Sequence, residues 1–343
     1  MLIKDFDFDL PDDLIAQQPL EERAASRMLV VDRRTSSFTD NNFAEFSQFL
    51  QPDDVLVLNN TKVFPARLLG RSETGANVEI FLVREQDGGI WETLARPARR
   101  LSPGKKVIFA DILTAEVVSK QQNGKVFVHF DASAELDVLI DRVGKTPLPP
   151  YIKREADAID TDRERYQTVF ASQRGAIAAP TAGLHFTPDV LASIRDSGVE
   201  IVEITLHVGY GTFEPVRVEE LDQHIVSAED FVISERAAKA LNEARSHGRR
   251  LVAVGTTTTR ALETAITRSG CFVAGTQKAD LTITPGYEFK AIGALLTNFH
   301  LPISSLLVLT STFGGYELIM GAYEHAVDEK YRFYSYGDCM LIL

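Results

Sequence analysis

The spacing of apolar and polar positions divides the chain into three stretches. In the first, residues 1–60, the runs MLVVD (28–32) and VLVLN (55–59) predict buried strands. FAEFSQFL between them has a helical pattern. Pro11-Asp12-Asp13 before LIAQQ predicts a short helix with proline and acids in its first turn. In the second stretch, from about 61 to 141, the runs shorten to ARLLG, VEIFLV, IWETLA, KVIFA, LTAEVV and KVFVHF. Turn signals at Asp87-Gly88-Gly89, Pro103-Gly104 and Asn123-Gly124 separate them, which predicts an antiparallel β-barrel of about six strands. TPLPPYIKR (146–154) reads as an extended connection back to the main body. In the third stretch strands alternate with helices. Thr187-Pro188-Asp189 caps one helix, VEIVEITL (199–206) is a strand, RAAKALNEARSHG is a helix, RLVAVG (250–255) is a strand, and RALETAIT continues as a helix. LLT (295–297) ends at a loop before SSLLVLTSTFGG begins another helix. The expectation is an α/β main domain with a mixed sheet, built from 1–60 and 151–343, interrupted by an inserted antiparallel β-barrel domain over 61–150.

Composition narrows the class. The 343 residues suit two domains, and 45% hydrophobic with 24% charged residues is ordinary for a folded protein. No apolar run approaches the ~18–20 residues that span a bilayer, and the acidic N-terminus lacks a secretory pattern. We therefore expect no membrane association and a cytoplasmic location. Cys271 and Cys339 have neither metal nor disulfide-framework spacing. The net charge of -12 argues against a general nucleic-acid binder. A local patch can still hold RNA on an acidic body, and Lys62, Arg67, Arg96, Arg99 and Arg100, with Arg71, Lys105 and Lys106, supply candidates in the barrel stretch.

Four loops sit where strands end or helices begin, the edge at which α/β sheets bind ligands. GAIAAPTAGLHF (175–186) brings small residues and His185, which reads equally as a general base or as a packed histidine. LHVGYGTFEPVR (206–217) offers Tyr210, Gly211 and Thr212 in a turn without the spacing of a dinucleotide fingerprint. VGTTTTRALE (254–263) runs from a strand through Gly255, Thr256 and Thr257 into a helix carrying Arg260. Amides and hydroxyls there suit a carboxylate, phosphate or ribose, and the arginine a carboxylate. TNFHLPISS (297–305) brings Asn298, His300 and serines together without a nucleophile elbow. The terminal EKYRFYSYGDCMLIL carries Tyr331, Phe333, Tyr334, Tyr336 and Asp338, aromatics that either stack on a base or bury a terminal strand. No cluster has zinc-site spacing, so no metal is implied.

Seven segments in order resemble the S-adenosylmethionine:tRNA ribosyltransferase-isomerase family of queuosine biosynthesis. They are FDFDLPDDLIAQQPLEERAASRMLVVDR, VLNNTKVFPARL, RYQTVFASQRGAIAAPTAGLHFTPDVL, HVGYGTFEPVR, VAVGTTTTRALE, LLTNFHLPISSLL and YRFYSYGDCMLI. The resemblance covers nearly the whole chain. It implies an α/β domain with an inserted β-barrel. It also implies S-adenosylmethionine as ribosyl donor and co-substrate, with no recycled cofactor. The implied acceptor is 7-aminomethyl-7-deazaguanine at the wobble position of tRNA, reached in the anticodon stem-loop. Epoxyqueuosine-tRNA, adenine and methionine are the products, and the enzyme acts as a monomer. The chemistry needs a base for the hydrogens beside the sulfonium, for which His185 or His300 is the candidate, assisted by Glu229 or Asp338. Thr256, Thr257 and Arg260 would hold the methionine carboxylate or ribose hydroxyls. The chain departs from the family pattern at Asn60 and Lys62, where many members read Asp and Arg, and at Ile303, where many have Lys. It also reads Val226-Ser227-Ala228-Glu229 where His-Ser-Glu is frequent. Two other readings stay open: a tRNA-binding relative without catalysis, and another S-adenosylmethionine-dependent RNA-modifying transferase.

Overall fold

A computed structural model of the chain describes residues 1–121, 124–131, 135–154, 161–209, 211, 216 and 218–343. Nine strands form the larger sheet, in spatial order Gly275–Ala279, Glu229–Ile233, Glu200–Leu206, Val55–Asn59, Leu251–Val254, Ala294–Asn298, Cys339–Ile342, Arg27–Asp32 and Ser37–Asn42. The four strands from Glu200–Leu206 to Ala294–Asn298 run parallel. Cys339–Ile342 pairs antiparallel to the last of them, so the sheet is mixed as expected.

The sequence explains why these runs lie in the centre. VLVLN, LVAV and ALLTN are buried at every position, because both faces of the sheet are covered. Alternate residues point to opposite layers. Val55, Val57, Leu251, Ala253 and Leu295 pack with helix residues such as Leu241, Leu262 and Leu309. Leu56, Leu58, Val252, Val254 and Leu296 pack on the other face with Phe43, Phe46, Phe186 and Ile194. Helix Pro188–Asp196 begins where expected, with the Thr187 hydroxyl accepting from the Val190 amide at 3.2 Å.

The smaller sheet orders Gly144–Lys145, Arg67–Ser72, Asn77–Gln86, Ile90–Arg96, Val126–Phe130, Leu113–Lys120 and Lys106–Phe109. Pairing of Arg67–Ser72 with Lys106–Phe109 closes six of these into an antiparallel barrel. Its interior is a third apolar core of alternate residues, among them Leu68, Ile80, Leu82, Val107, Val117 and Val128.

Two elements differ from the pattern reading. LIAQQ contributes only one 3-10 turn, Asp12–Leu14. Its next backbone groups pair with the C-terminal segment instead: the Phe333 amide donates to the Leu14 carbonyl at 2.8 Å and the Ala16 amide to the Phe333 carbonyl at 3.2 Å. Phe43–Phe49 is a 3-10 helix rather than an α-helix. Its three-residue period stacks Phe43 on Phe46, with centroids 5.4 Å apart. The Asn123 half of the expected hairpin turn lies outside the described residues.

Candidate functional site

The C-terminal ends of the four parallel strands share one edge, and each hands over to a loop there. Asn60 follows Val55–Asn59, His207-Val208-Gly209 follows Glu200–Leu206, Gly255-Thr256-Thr257 follows Leu251–Val254, and Phe299-His300 follows Ala294–Asn298. Cys339 pairs with Asn298, so Tyr334 to Asp338 arrive at the same edge. The turn into helix Thr256–Ser269 needs Gly255, whose φ of 89° is disfavoured for other residues.

Among the described residues, several cavities open along this edge, and two take in most of these loops. The first, about 230 Å³, is lined by Gly255, Thr256, Thr257, Asn298, His300, Tyr151 and Tyr334, among others. Tyr151 and Tyr334 lie 4.1 Å apart between ring centroids and give it an aromatic wall. Two buried polar atoms of its lining, Asn298 Oδ1 and the Tyr334 hydroxyl, have no hydrogen-bond partner among the described residues. The Asn298 amide orientation is fixed, because its nitrogen donates to the carbonyls of Tyr334 at 3.1 Å and Asp338 at 3.4 Å. Unpaired buried polar atoms are costly unless a ligand answers them.

His300 is buried at this cavity, with Nε2 2.8 Å from the Thr297 hydroxyl; burial pulls its pKa down to about 3. His185 does not line the cavity. Its Nδ1 is 2.7 Å from Ser26 Oγ and its Nε2 3.3 Å from the Asn298 amide nitrogen. Ser26 donates to the Arg23 carbonyl, so it accepts from Nδ1–H, and Nε2 accepts from Asn298. Burial, aided by Arg23 and Arg332, lowers its pKa to about 3, and the ring is a neutral strut beneath Asn298.

The second cavity, about 500 Å³, lies between the barrel and the main sheet. Its lining includes Phe64, Trp91, Glu92, Arg174, His207, Gly209, Gly211, Glu229 and Asp230. Val208 lines both cavities. Glu229 is buried and accepts from the Gly209 amide at 2.8 Å and from Arg260 at 2.9 Å. Arg260 also donates to the carbonyls of Ser227 at 3.0 Å and Ala279 at 2.8 Å, and it lines neither cavity. Gly211 passes so close to Ser227 that a Cβ would lie 2.8 Å from its Cβ. Asp338 is 2% exposed and ties down backbone, accepting from the amides of Arg27 at 2.9 Å and Arg332 at 2.8 Å; burial raises its pKa against those bonds. Tyr210 and Thr212 lie outside the described residues.

The basic candidates separate. Arg67 is committed to Glu79 through two 3.0 Å contacts. Lys62, Arg96, Arg99 and Arg100 are exposed, without an ion-pair partner among the described residues. Among the described residues no cluster of histidine, cysteine and carboxylate could hold a metal ion, and no helix is long and apolar enough to cross a membrane. The pattern reading overlooked His207. Its signal was available, since it directly follows a buried strand at the edge where the other loops were sought.

The profile of the family described as queuosine biosynthesis protein matches residues 3–342. A protein of Trichlorobacter lovleyi named S-adenosylmethionine:tRNA ribosyltransferase-isomerase is 48% identical over 343 residues, covering 100% of both chains. One of Moorella thermoacetica with the same name is 49% identical over 346 residues, again covering 100% of both. Among solved structures, S-adenosylmethionine tRNA ribosyltransferase from Thermotoga maritima aligns over 99% of this chain and 100% of its own, with a TM-score of 0.57 and 35% identity.

Proposed function

Because the chain belongs to the queuosine biosynthesis protein family, we propose that it catalyses the reaction for which its full-length relatives are named, S-adenosylmethionine:tRNA ribosyltransfer with isomerisation. The enzyme moves the ribosyl moiety of S-adenosylmethionine onto 7-aminomethyl-7-deazaguanine at the wobble position of tRNA. It rearranges that moiety to give epoxyqueuosine-tRNA and releases adenine and methionine. The observation that carries this reading is end-to-end identity with those relatives. The loops that bear the shared segments meet at one strand edge, around a cavity with unanswered polar atoms.

The first cavity suits the donor. Amides at the start of helix Thr256–Ser269, with the Thr256 and Thr257 hydroxyls, face a carboxylate or ribose. Tyr151 and Tyr334 offer adenine an aromatic wall. At about 230 Å³ the cavity is smaller than the ~300–1,000 Å³ of most ligand sites. The donor's reacting end therefore extends past Val208 toward the second cavity. His300 touches the donor, whereas His185 positions Asn298 from behind. Glu229, Arg260 and Asp338 hold backbone in place rather than reach the reacting atoms. Arg96, Arg99 and Arg100 meet the phosphates of the anticodon stem-loop. The enzyme acts as a monomer in the cytoplasm.

Purified protein incubated with S-adenosylmethionine and tRNA bearing the aminomethyl base tests the reading. Adenine and methionine released in step with new nucleoside support it. S-adenosylhomocysteine in their place would mark a methyltransferase, and tRNA binding without donor consumption a binder that lacks catalysis.

A further inference from the structure

We propose that His207 is the base that takes the proton from the acceptor's aminomethyl group, inside the cleft between the barrel and the main sheet; this rests on the function proposed above. A primary alkylamine is an ammonium ion at neutral pH, as lysine is with its pKa of ~10.4. It cannot attack until a proton leaves. An acceptor site therefore needs an anion for the cation and a neutral base for the proton.

The cleft has both. Phe64 and Trp91, centroids 5.9 Å apart, line it with aromatic surface suited to a flat base. On the main-sheet side Glu229 is taken by Arg260, but the Asp230 carboxylate has no side-chain partner among the described residues. The His207 amide donates to the Asp230 carbonyl at 3.2 Å, which places the two residues side by side.

The ring is oriented for the task. His207 Nδ1 lies 2.8 Å from Thr61 Oγ1, and the Thr61 hydroxyl is directed to the Gln173 carbonyl at 3.5 Å. As a base the ring takes the tautomer in which Thr61 accepts from Nδ1–H and Nε2 keeps its lone pair. Nε2 has no partner among the described residues. The ring lies against Gly175, where a Cβ would come within 2.7 Å of it.

Burial lowers the ring's pKa and the Asp230 charge opposes that, leaving it below the ordinary histidine value and neutral at pH 7. Of the other charges around it, Glu85 in the cleft and Arg195 and Arg236 behind the ring have no ion-pair partner among the described residues, and the rest are held by neighbours. Arg174, on the adjacent strand, is held by Asp141 and Asp137. Across the cleft Glu92 is held by Lys125 and Arg84. Behind the ring Glu203 accepts from Asn60.

In the step, the ammonium N–H bond breaks and the proton goes to Nε2. The electron pair stays on the amine nitrogen, which becomes a neutral nucleophile, while Asp230 stabilises the imidazolium. Val208, the next residue, lines both cavities and puts this step at their shared wall.

His207→Gln tests the assignment. At pH 7 kcat should fall by roughly 10²–10⁴-fold, the scale of general-base catalysis, with the KM for S-adenosylmethionine and the tRNA affinity little changed. The deficit should shrink between pH 7 and pH 9, as hydroxide supplies the free amine. Thr61→Val, which frees the tautomer but keeps the ring, should show a smaller loss with the same pH signature, and it decides the matter if His207→Gln does not fold. Near-wild-type kcat, a deficit constant across pH, or lost tRNA binding in place of lost turnover would overturn the proposal. A wild-type enzyme that releases no adenine would instead overturn the functional reading beneath it.

Discussion

Removing Arg260 should cost more stability than removing it together with its partner. Its side chain is 7% exposed and that of Glu229 6%, with 2.9 Å between them. Arg260→Met takes the arginine from a buried ion pair and leaves the Glu229 charge in place, which typically costs about 3–5 kcal/mol. It also strands the carbonyls of Ser227 and Ala279. Glu229→Gln keeps an acceptor for the Gly209 amide and loses only the charge, for a cost of about 1.5–3 kcal/mol. In Arg260→Met/Glu229→Leu no charge remains buried, so the double variant should be more stable than Arg260→Met alone. Urea unfolding at pH 7 followed by circular dichroism measures all three. Fluorescence of the single tryptophan, Trp91, reports the barrel separately. An Arg260→Met cost below about 1 kcal/mol, or a double variant less stable than that single, would refute the view of this pair as a buried clamp.

Four other outcomes are expected. His185 and His300 have pKa values near 3 in the fold against 6.5 unfolded, so stability is complete above pH 6.5 and falls toward pH 3, by about 1.4 kcal/mol per pH unit for each ring. Urea midpoints at pH 7 and pH 5 should show this, with a shallower fall in His185→Gln. Gly175→Ala should push the His207 ring aside and lower kcat while the donor KM holds, as steady-state kinetics would show. Neutralising Arg96, Arg99 and Arg100 should weaken tRNA binding and flatten its log-log salt dependence by roughly 0.7 per lost phosphate contact to a single strand, measured by filter binding across a salt series. Glu263, fully buried, accepts from the amides of Lys290, Ala291 and Ile292, so Glu263→Ala should cost upward of about 3 kcal/mol and lower Tm in calorimetry.

The pattern of the chain carried the central strands because residues such as Val55 to Leu58 are apolar without interruption. It carried the barrel because its interior residues alternate. It did not reveal Ser37–Asn42 or Gly275–Ala279, edge strands of polar sequence (SFTDNN and GTQKA) in which pairing rather than burial fixes the backbone. The helix Leu136–Val143 was hidden within a stretch that reads as strands and turns. For the site, glycines and threonines marked the loops at the strand edge. Roles were harder to read, since they depend on partners remote in sequence. Arg260 suggested a ligand contact because Glu229, 31 residues away, could not be seen to claim it. His185 looked like a base because the Ser26 and Asn298 bonds that occupy its ring come from opposite ends of the chain.

In ribosyl transfer the donor gives up its ribosyl carbons to the tRNA. S-adenosylmethionine labelled with ¹³C in the ribose, incubated with the enzyme and tRNA bearing the aminomethyl base, tests it directly. All five labelled carbons should appear in a single modified nucleoside after digestion, with unlabelled adenine and methionine in equal amount. Label retained in S-adenosylhomocysteine, with only a methyl group on the tRNA, would contradict it.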